Sequence, residues 1–560
     1  MMSAKRICIE KNKQVSTGST DYVEEKMDYD VDKIKDFINS LDNDSLAQIF
    51  MLLPISDRIT MDEVCSKWKE ACQLAWYDIK KYKCTNTIVR NHKKCILTQS
   101  HVEKILLNCG IYLKELILSE VCDSSIMPVI VEYCKNLTTL EFEIDVNKND
   151  CYTDRSVEAF TQLKQLKVVK IHIHESRDKF QFKILNSLPK DINEIHLFIR
   201  PFEQAEAWFM NRIFPCGDSP SLFSLRKFTN LRSLTIRSYN ITEIIREISK
   251  KTTLVYLDLQ KCTTNQANFT FNQLINLEHL NVRDVSFTWS NPNLLSGIFN
   301  TCKNLKHLDA PDFHVDLAKI KMENWVNLRN LVYLNIRWQA SDAIIKKIIK
   351  YCNNLEFINT DTLNSESIIK LTQLENLNYL KFEKTNNINN EVMVAILNNC
   401  KKLKHLVIHG DDRVEASIFD DLLKLKYIES LNLACNLNIG PSSITSTAYV
   451  ALTSLKNLKK LNLEWNSNVE DNFIVKLRGI KSLNCSGCRK LTDAGVIQFI
   501  KNNPDLEFLD ISYIPKVTID TIIAAEVAVK NRTNDTFLAI KTRDPVLKEA
   551  CIKSQWLTCD

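Results

Sequence analysis

The sequence predicts an α/β solenoid, a curved stack of about 16 repeats with a parallel inner sheet and a helical outer wall, preceded by a small all-helical segment. Three observations carry that prediction. Apolar positions spaced Leu-x-x-Leu-x-Leu return from about Leu113 onward. Between these triplets run stretches such as 343–351 and 391–399, where apolar residues fall at helical spacing. The chain also holds 64 Leu and 52 Asn but only 9 Gly, where average usage would give roughly 40 glycines.

Composition sets the outer bounds. With 560 residues, 45% apolar and 25% charged, the chain can bury a large core and does not fit a disordered, collagenous or membrane-embedded class. Its few glycines form no dinucleotide fingerprint, phosphate-binding loop or nucleophile elbow. No catalytic residue, metal ligand or cofactor site is therefore expected. A net charge of +5 is too weak to select nucleic acid or membrane as a partner. The polar start, Met1 to Gln14, has no apolar signal region, so a cytoplasmic and/or nuclear location is expected. There, 19 cysteines read as reduced thiols.

Residues 1–36 are expected to be an unstructured tail. Residues 37–77 carry Leu46, Ile49, Phe50 and Leu53 on one helical stripe, with Asp42, Asn43 and Asp44 as capping candidates and Pro54 as the stop. A second helix over about Ile59 to Leu74 aligns Met61, Val64, Cys65 and Trp68. Taken with Leu41, Asp57 and Trp76, this arrangement resembles an F-box. Asp42 stands where that family has proline, and Asp44 where it usually has glutamate.

From residue 78 to 541 the repeats follow one another. Their middle anchors are Leu116, Leu140, Val169, Ile195, Leu234, Leu257, Leu280, Leu308, Leu334, Ile358, Leu380, Leu406, Leu431, Leu461, Leu483 and Leu509, at steps of 22 to 30 residues with one exception. Each Leu-x-Leu pair belongs on a short strand with both leucines inward. The pattern resembles the cysteine-containing leucine-rich repeats, since Cys-x-x-Leu-x-x-Leu recurs at Cys134, Cys302, Cys352 and Cys400. A thiol there suits a buried helix-to-strand corner. The exception, 199–228, reads as an insertion or degenerate repeat, with Trp208, Phe209, Phe214 and Phe223. A last strand is expected near Thr536 to Ile540, and 542–560 as a cap or tail.

Just before the middle anchor, on the concave side, seven successive repeats carry Tyr256, His279, His307, Tyr333, Phe357, Tyr379 and His405. Asp258, Asn281, Asp309, Asn335, Asn359 and Lys381 flank this stripe, with Arg283 and Arg337 beyond. Aromatic and arginine enrichment marks it as a candidate protein-binding surface. Arg237, Arg283, Arg337, Lys381 and His409 could also receive an acidic or phosphorylated segment. Cys485 and Cys488 form a lone Cys-x-x-Cys, of which Cys485 occupies a third repeat anchor and reads as a buried strand residue, and His172 and His174 read as solvated or hydrogen-bonded side chains.

The combination resembles the F-box/leucine-rich-repeat family. That resemblance implies a non-catalytic substrate receptor of a Skp-cullin-F-box ubiquitin ligase. Its F-box would dock a Skp-type adaptor, and through it a cullin-RING core, by Leu41, Leu46, Ile49, Phe50, Leu53, Pro54, Val64, Cys65, Trp68 and Trp76. The repeats would bind the protein substrate by Tyr256, His279, Arg283, His307, Tyr333, Arg337, Phe357, Tyr379, Lys381 and His405. The alternative is a protein-interaction scaffold outside any ligase, with a weakened F-box.

Overall fold

The computed structural model describes residues 38, 40–84, 87–90, 93–96, 98–119, 121–145, 154–174, 183–200, 224–266, 269–287, 294–295, 297–359, 363–382, 388–408, 417–434, 446–532, 537–554 and 556–559. The expected N-terminal tail, His409 and most of 199–228, with its four aromatics, lie outside the described residues. The chain divides into two compact units, Met1–Ile79 with Ile88–Cys95, and Lys80–Thr87 with Ile96–Asp560.

In the first unit, helix α1 runs over Asn43–Met51. Asp42 begins it, its Oδ1 accepting the Ser45 N–H at 2.7 Å, which satisfies one of the amides a helix start leaves open. That bond holds the Asp42 carboxyl below its ordinary range. Pro54 lies past the helix end and opens the next one, with its fixed φ of −56°. The single second helix expected from spacing is in fact two, α2 over Ile55–Asp62 and α3 over Ser66–Ala75. Cys65 is extended at φ −161° and ψ 170°, so the chain bends at Glu63–Cys65. The bend brings Ala71, Cys72 and Ala75 of α3 back onto Leu46, Ala47 and Phe50 of α1. A straight helix through 59–74 could not make that contact. Phe50 and Trp68 meet with ring centroids 5.3 Å apart.

One buried cation ties the three helices together. Arg58, 3% exposed, donates from Nε to Leu53 O at 3.1 Å, from Nη2 to Met51 O at 2.6 Å and from Nη1 to Ala75 O at 2.8 Å. Its two terminal nitrogens also grip Asp78, at 2.7 and 3.0 Å. The carbonyls are the ones that the ends of α1 and α3 leave without intrahelical donors. A planar guanidinium serves this geometry in a way that an ammonium does not.

The second unit is one parallel sheet of 19 strands. All 16 predicted anchors sit on its strands and none is more than 2% exposed. Equivalent residues pair, so that Leu116 lies beside Leu140, Leu140 beside Val169, and Leu257 beside Leu280. Strand Glu194–Arg200 pairs directly with Ser233–Arg237 across the long step. The expected last strand is Leu538–Lys541, and two further strands were not expected, Lys81–Lys83 and Leu557–Cys559. Within 542–560, Pro545–Lys553 is helical and Leu557–Cys559 pairs in parallel with Leu538–Ile540.

Two side-chain types make the corners. Cys134, Cys302, Cys352 and Cys400 each directly follow a helix, and their N–H groups bond four residues back at 2.7 to 2.9 Å. All four are buried, and burial pushes their thiols up to about 11 or 12. They therefore stay protonated, and Cys302 Sγ donates to Leu274 O at 3.0 Å. Along the same edge Asn136, Asn276, Asn354, Asn376 and Asn457 each donate to a backbone carbonyl of the preceding repeat, at 2.6 to 2.8 Å. This accounts for part of the asparagine excess.

Arg58→Met should cost the helical unit about 3 kcal/mol, because it strands Asp78 and three carbonyls. Amide hydrogen exchange on the full chain reads it: protection should fall across residues 43–75 and stay unchanged in strands such as Leu483 and Leu509.

Candidate interaction surface

The strands line the predicted stripe up, because Tyr256, His279, His307, Tyr333 and Phe357 are register partners; the first four are half-buried, whereas Phe357 is buried, a correction to its binding role. Their rings stack. Successive centroids are 4.2, 4.1, 4.1 and 4.2 Å apart, with interplanar angles of 18° or less. Beyond Phe357 the geometry changes. Tyr379 meets it edge-on at 5.2 Å and 65°, and His405 is tilted 35° to Tyr379 at 5.4 Å. The predicted stripe is thus one continuous array whose first five rings form a parallel column.

Stacking removes water from the imidazoles. Burial pulls His279 and His307 down to about 4, the neighbouring His307 contributing at His279, and Asp258 and Asp309 only partly offset this. Both rings are neutral at pH 7. Tyr333 is pushed up to about 12, chiefly by burial. The column is therefore uncharged along its length.

The flanking polar row is satisfied within the chain. Arg237 Nη2 donates to Asp258 Oδ2 at 2.6 Å, and Arg283 pairs with Asp309 at 3.0 Å. Asn335 Nδ2 donates to Asp309 Oδ1 and Asn359 Nδ2 to Asn335 Oδ1, both at 2.7 Å. Asp258, Asn281, Asn432, Asn462, Asn484 and Asp510 each also accept the N–H two residues on. That bond turns the chain out of its strand. Two of the five cations proposed to receive an acidic segment are thus already matched by carboxylates, which corrects that expectation for Arg237 and Arg283. Arg337 is exposed at the end of its strand, and Lys381 is half-buried on strand Tyr379–Phe382.

A separate pair of rings, not read from the sequence, lies further toward the N-terminus. Phe198 stacks on His172 at 4.9 Å, and the Arg237 guanidinium lies 5.5 Å from the Phe198 ring. His172 Nε2 bonds Glu141 Oε1 at 3.0 Å, the hydrogen-bonded one of its two readings, whereas the His174 side chain lies outside the described residues. His196 Nδ1 meets Thr235 Oγ1 at 2.8 Å. Phe198 was missed because the 39-residue step after Ile195 hides its register with the next repeat. Its signal was the alternation of Glu194, His196 and Phe198 on one face.

The F-box-like residues separate into two groups. Leu46, Phe50 and Trp76 are buried and offer no surface, a correction to their docking role, and Leu46 and Phe50 belong to the unit's own core. Leu41, Leu53 and Trp68 are half-buried against that core, and Pro54 and Cys65 are exposed. Ile49 and Val64 are 45% and 54% exposed, and Leu52, which was not singled out, is 85% exposed. Its signal was an apolar residue one position outside the stripe.

The lone Cys-x-x-Cys carries no redox or metal geometry. Cys488 Sγ donates to Leu463 O at 3.1 Å and Cys485 Sγ to Asp510 O at 3.2 Å. Cys262 Sγ and Asn466 Nδ2 make the bond of Cys488 in other repeats, to Ile236 O at 3.0 Å and Leu433 O at 2.8 Å. Asn or Cys three residues past the third anchor, bonded to the third anchor of the repeat before, is the defining corner of the leucine-rich repeat. The chain has the leucine-rich-repeat fold. Among the described residues no three His, Cys, Asp or Glu side chains converge as a metal site needs, and no helix is long and apolar enough to cross a membrane.

No protein-family model matches this leucine-rich-repeat chain, and no curated protein does. Among solved structures it is similar to a leucine-rich-repeat protein of Leptospira interrogans, at 17% identity and a TM-score of 0.39, over 78% of this chain and 99% of that one. An internalin of Listeria monocytogenes matches at 13% and 0.29, over 80% and 97%. The Rad7–Elc1 complex of yeast matches at 13% and 0.23, over 96% and 98%.

The ring column makes stability depend on pH. Folded His279 and His307 take up protons only near 4, whereas unfolded ones do so near 6.5. Stability should therefore fall as pH drops from about 6.5 toward 4. Thermal unfolding between pH 7 and pH 4.5 should show a smaller loss in a His279→Phe, His307→Phe variant, which keeps the stack without the titration.

Proposed function

We propose that the chain is the substrate-recognition subunit of a Skp-cullin-F-box ubiquitin ligase, with no catalytic role of its own. The observation that carries this reading is the exposed apolar trio Ile49, Leu52 and Val64, which with Leu74 and Tyr77 leaves the small helical unit with apolar surface. A unit this small has no stability to spare for idle apolar surface, and exposed aliphatic side chains on paired helices suit a groove-forming helical partner. F-box spacing over Leu41 to Trp76 supplies the partner class, a Skp-type adaptor. Asp42 replaces the family's proline but keeps the helix start through its bond to Ser45, so the change leaves the local fold intact.

The ring array supplies the second half of the proposal. Aromatic side chains held rigid on a sheet expose area without losing further rotamer freedom on binding, and such residues dominate interface energetics. Held near a charged conjugating enzyme, a bound protein would have its acceptor lysine at high effective concentration. A scaffold outside any ligase would use the same repeats without the adaptor.

An Ile49→Asp, Leu52→Asp, Val64→Asp variant should lose adaptor affinity at least tenfold, since interface anchors contribute about 2 kcal/mol each. Titration calorimetry against a recombinant Skp-type adaptor reads this, with circular dichroism to show that the variant folds. Retained affinity would leave the scaffold reading. In parallel, Tyr333→Ala with Tyr379→Ala should reduce protein capture from the source cells while adaptor recovery stays constant, as measured by affinity purification and quantitative mass spectrometry.

A further inference from the structure

Outer-wall helices turn mostly polar side chains outward. Helix Asp342–Tyr351 exposes Asp342, Ala343, Lys346 and Lys350, and helix Asp493–Asn502 exposes Ala494, Gln498 and Lys501. Helix Ile519–Lys530 departs from them. Its inner face is apolar, with Ile522, Ala525 and Val529 buried. Its outer face is apolar as well: Ile519, Ile523 and Val527, each four residues from the last, are 42%, 54% and 55% exposed. An ordinary surface helix carries one apolar stripe against the core and polar residues opposite. This helix carries two stripes, and the chain itself covers one.

The bare stripe is firmly held. Asp493 of the preceding helix accepts the Thr518 N–H at 2.9 Å, the Thr518 hydroxyl at 2.8 Å and the Thr521 hydroxyl at 2.5 Å, which fixes the start of Ile519–Lys530. Helix Pro545–Lys553 packs against it too and adds exposed Val546 and Ile552. The charges on the helix say what fits the stripe. Asp520 in its first turn and Lys530 at its end are exposed, and among the described residues neither has an ion-pair partner. When a second copy of the helix lies antiparallel across a two-fold axis at Ala525, Ile523 of one copy faces Val527 of the other. In that same register Asp520 of one copy faces Lys530 of the other. The apolar and charged pairs agree on one alignment. An axis at Ile523 would instead set Asp520 against Glu526, like against like.

We propose that the outward face of helix Ile519–Lys530 is the interface of a two-fold homodimer, with the two helices antiparallel about Ala525. A two-fold interface uses the same patch on both copies, so a self-complementary pattern is what it requires. One helix pair alone covers less than the roughly 1,000 Å² that a specific interface needs, and Val546 and Ile552 of the adjoining helix enlarge the patch. Pairing of this kind is independent of any adaptor or substrate.

Sedimentation of the full-length chain over a concentration series should show a monomer–dimer equilibrium, and Ile523→Asp should abolish the dimer. Asp520→Lys and Lys530→Asp should each raise the dissociation constant about tenfold or more, because each sets like charges opposite one another twice per dimer. The double variant Asp520→Lys, Lys530→Asp should restore pairing. All three side chains are exposed, and circular dichroism checks that each variant folds. A zero-length carbodiimide cross-link from Asp520 to Lys530 reads the register directly. Within one helix these residues lie about 15 Å apart, too far for a link inside one copy, so after trypsin the link should join two copies of the peptide that begins at Val517. A chain that stays monomeric, a dimer indifferent to Ile523→Asp, or charge swaps that the double variant does not restore would each overturn the proposal. So would another protein, captured from the source cells by a monomeric chain and lost with Ile523→Asp, since the stripe would then be that partner's site.

Discussion

The in-register parallel ladder is the constraint on which most of the structure depends. Each strand pairs with the next so that equivalent residues lie side by side. Every side chain therefore sits about one strand spacing, near 4.8 Å, from its counterpart in the next repeat. Like then meets like. Leucines meet leucines inside, rings stack on rings outside, and carboxylates find amides or guanidinium groups between them. A parallel sheet needs a crossover between strands, and the helices with their cysteine corners provide it.

The helical unit works on another principle. It is too small to rely on apolar burial alone, and a single guanidinium gathers helix-end carbonyls that would otherwise lack donors. Such a centre is sensitive to loss of either partner while contributing little net energy over a well-packed apolar substitute. What it provides is direction: Arg58 bonds both helix ends only when α3 doubles back on α1.

Local pattern and cross-repeat geometry were legible to different degrees. All 16 anchors, the four corner cysteines and a helix start at one of Asp42, Asn43 and Asp44 could be read because each depends on spacing within about one repeat. The five-ring column was legible as a row of residue types, since register makes a row of types into a row of neighbours. The bend at Glu63–Cys65 was not, because the apolar stripe of Met61, Val64 and Trp68 continues through it, and only the return of α3 onto α1 breaks the helix. Nor could spacing say that Leu46 and Phe50 face the unit's own core while Ile49 and Leu52 do not. The pairing of Arg237 and Arg283 with Asp258 and Asp309 depends on separations of 21 and 26 residues, beyond any local periodicity.

The stacked column from Tyr256 to Phe357 also has a dynamic consequence. A ring held between two others at about 4.1 Å cannot turn over about its own axis unless its neighbours move apart. Flipping of the inner rings, ordinarily a fast local event in exposed side chains, becomes a joint displacement of several residues on several strands. The surface these rings offer is thus slow to rearrange, closer to a rigid template than to an adaptable patch.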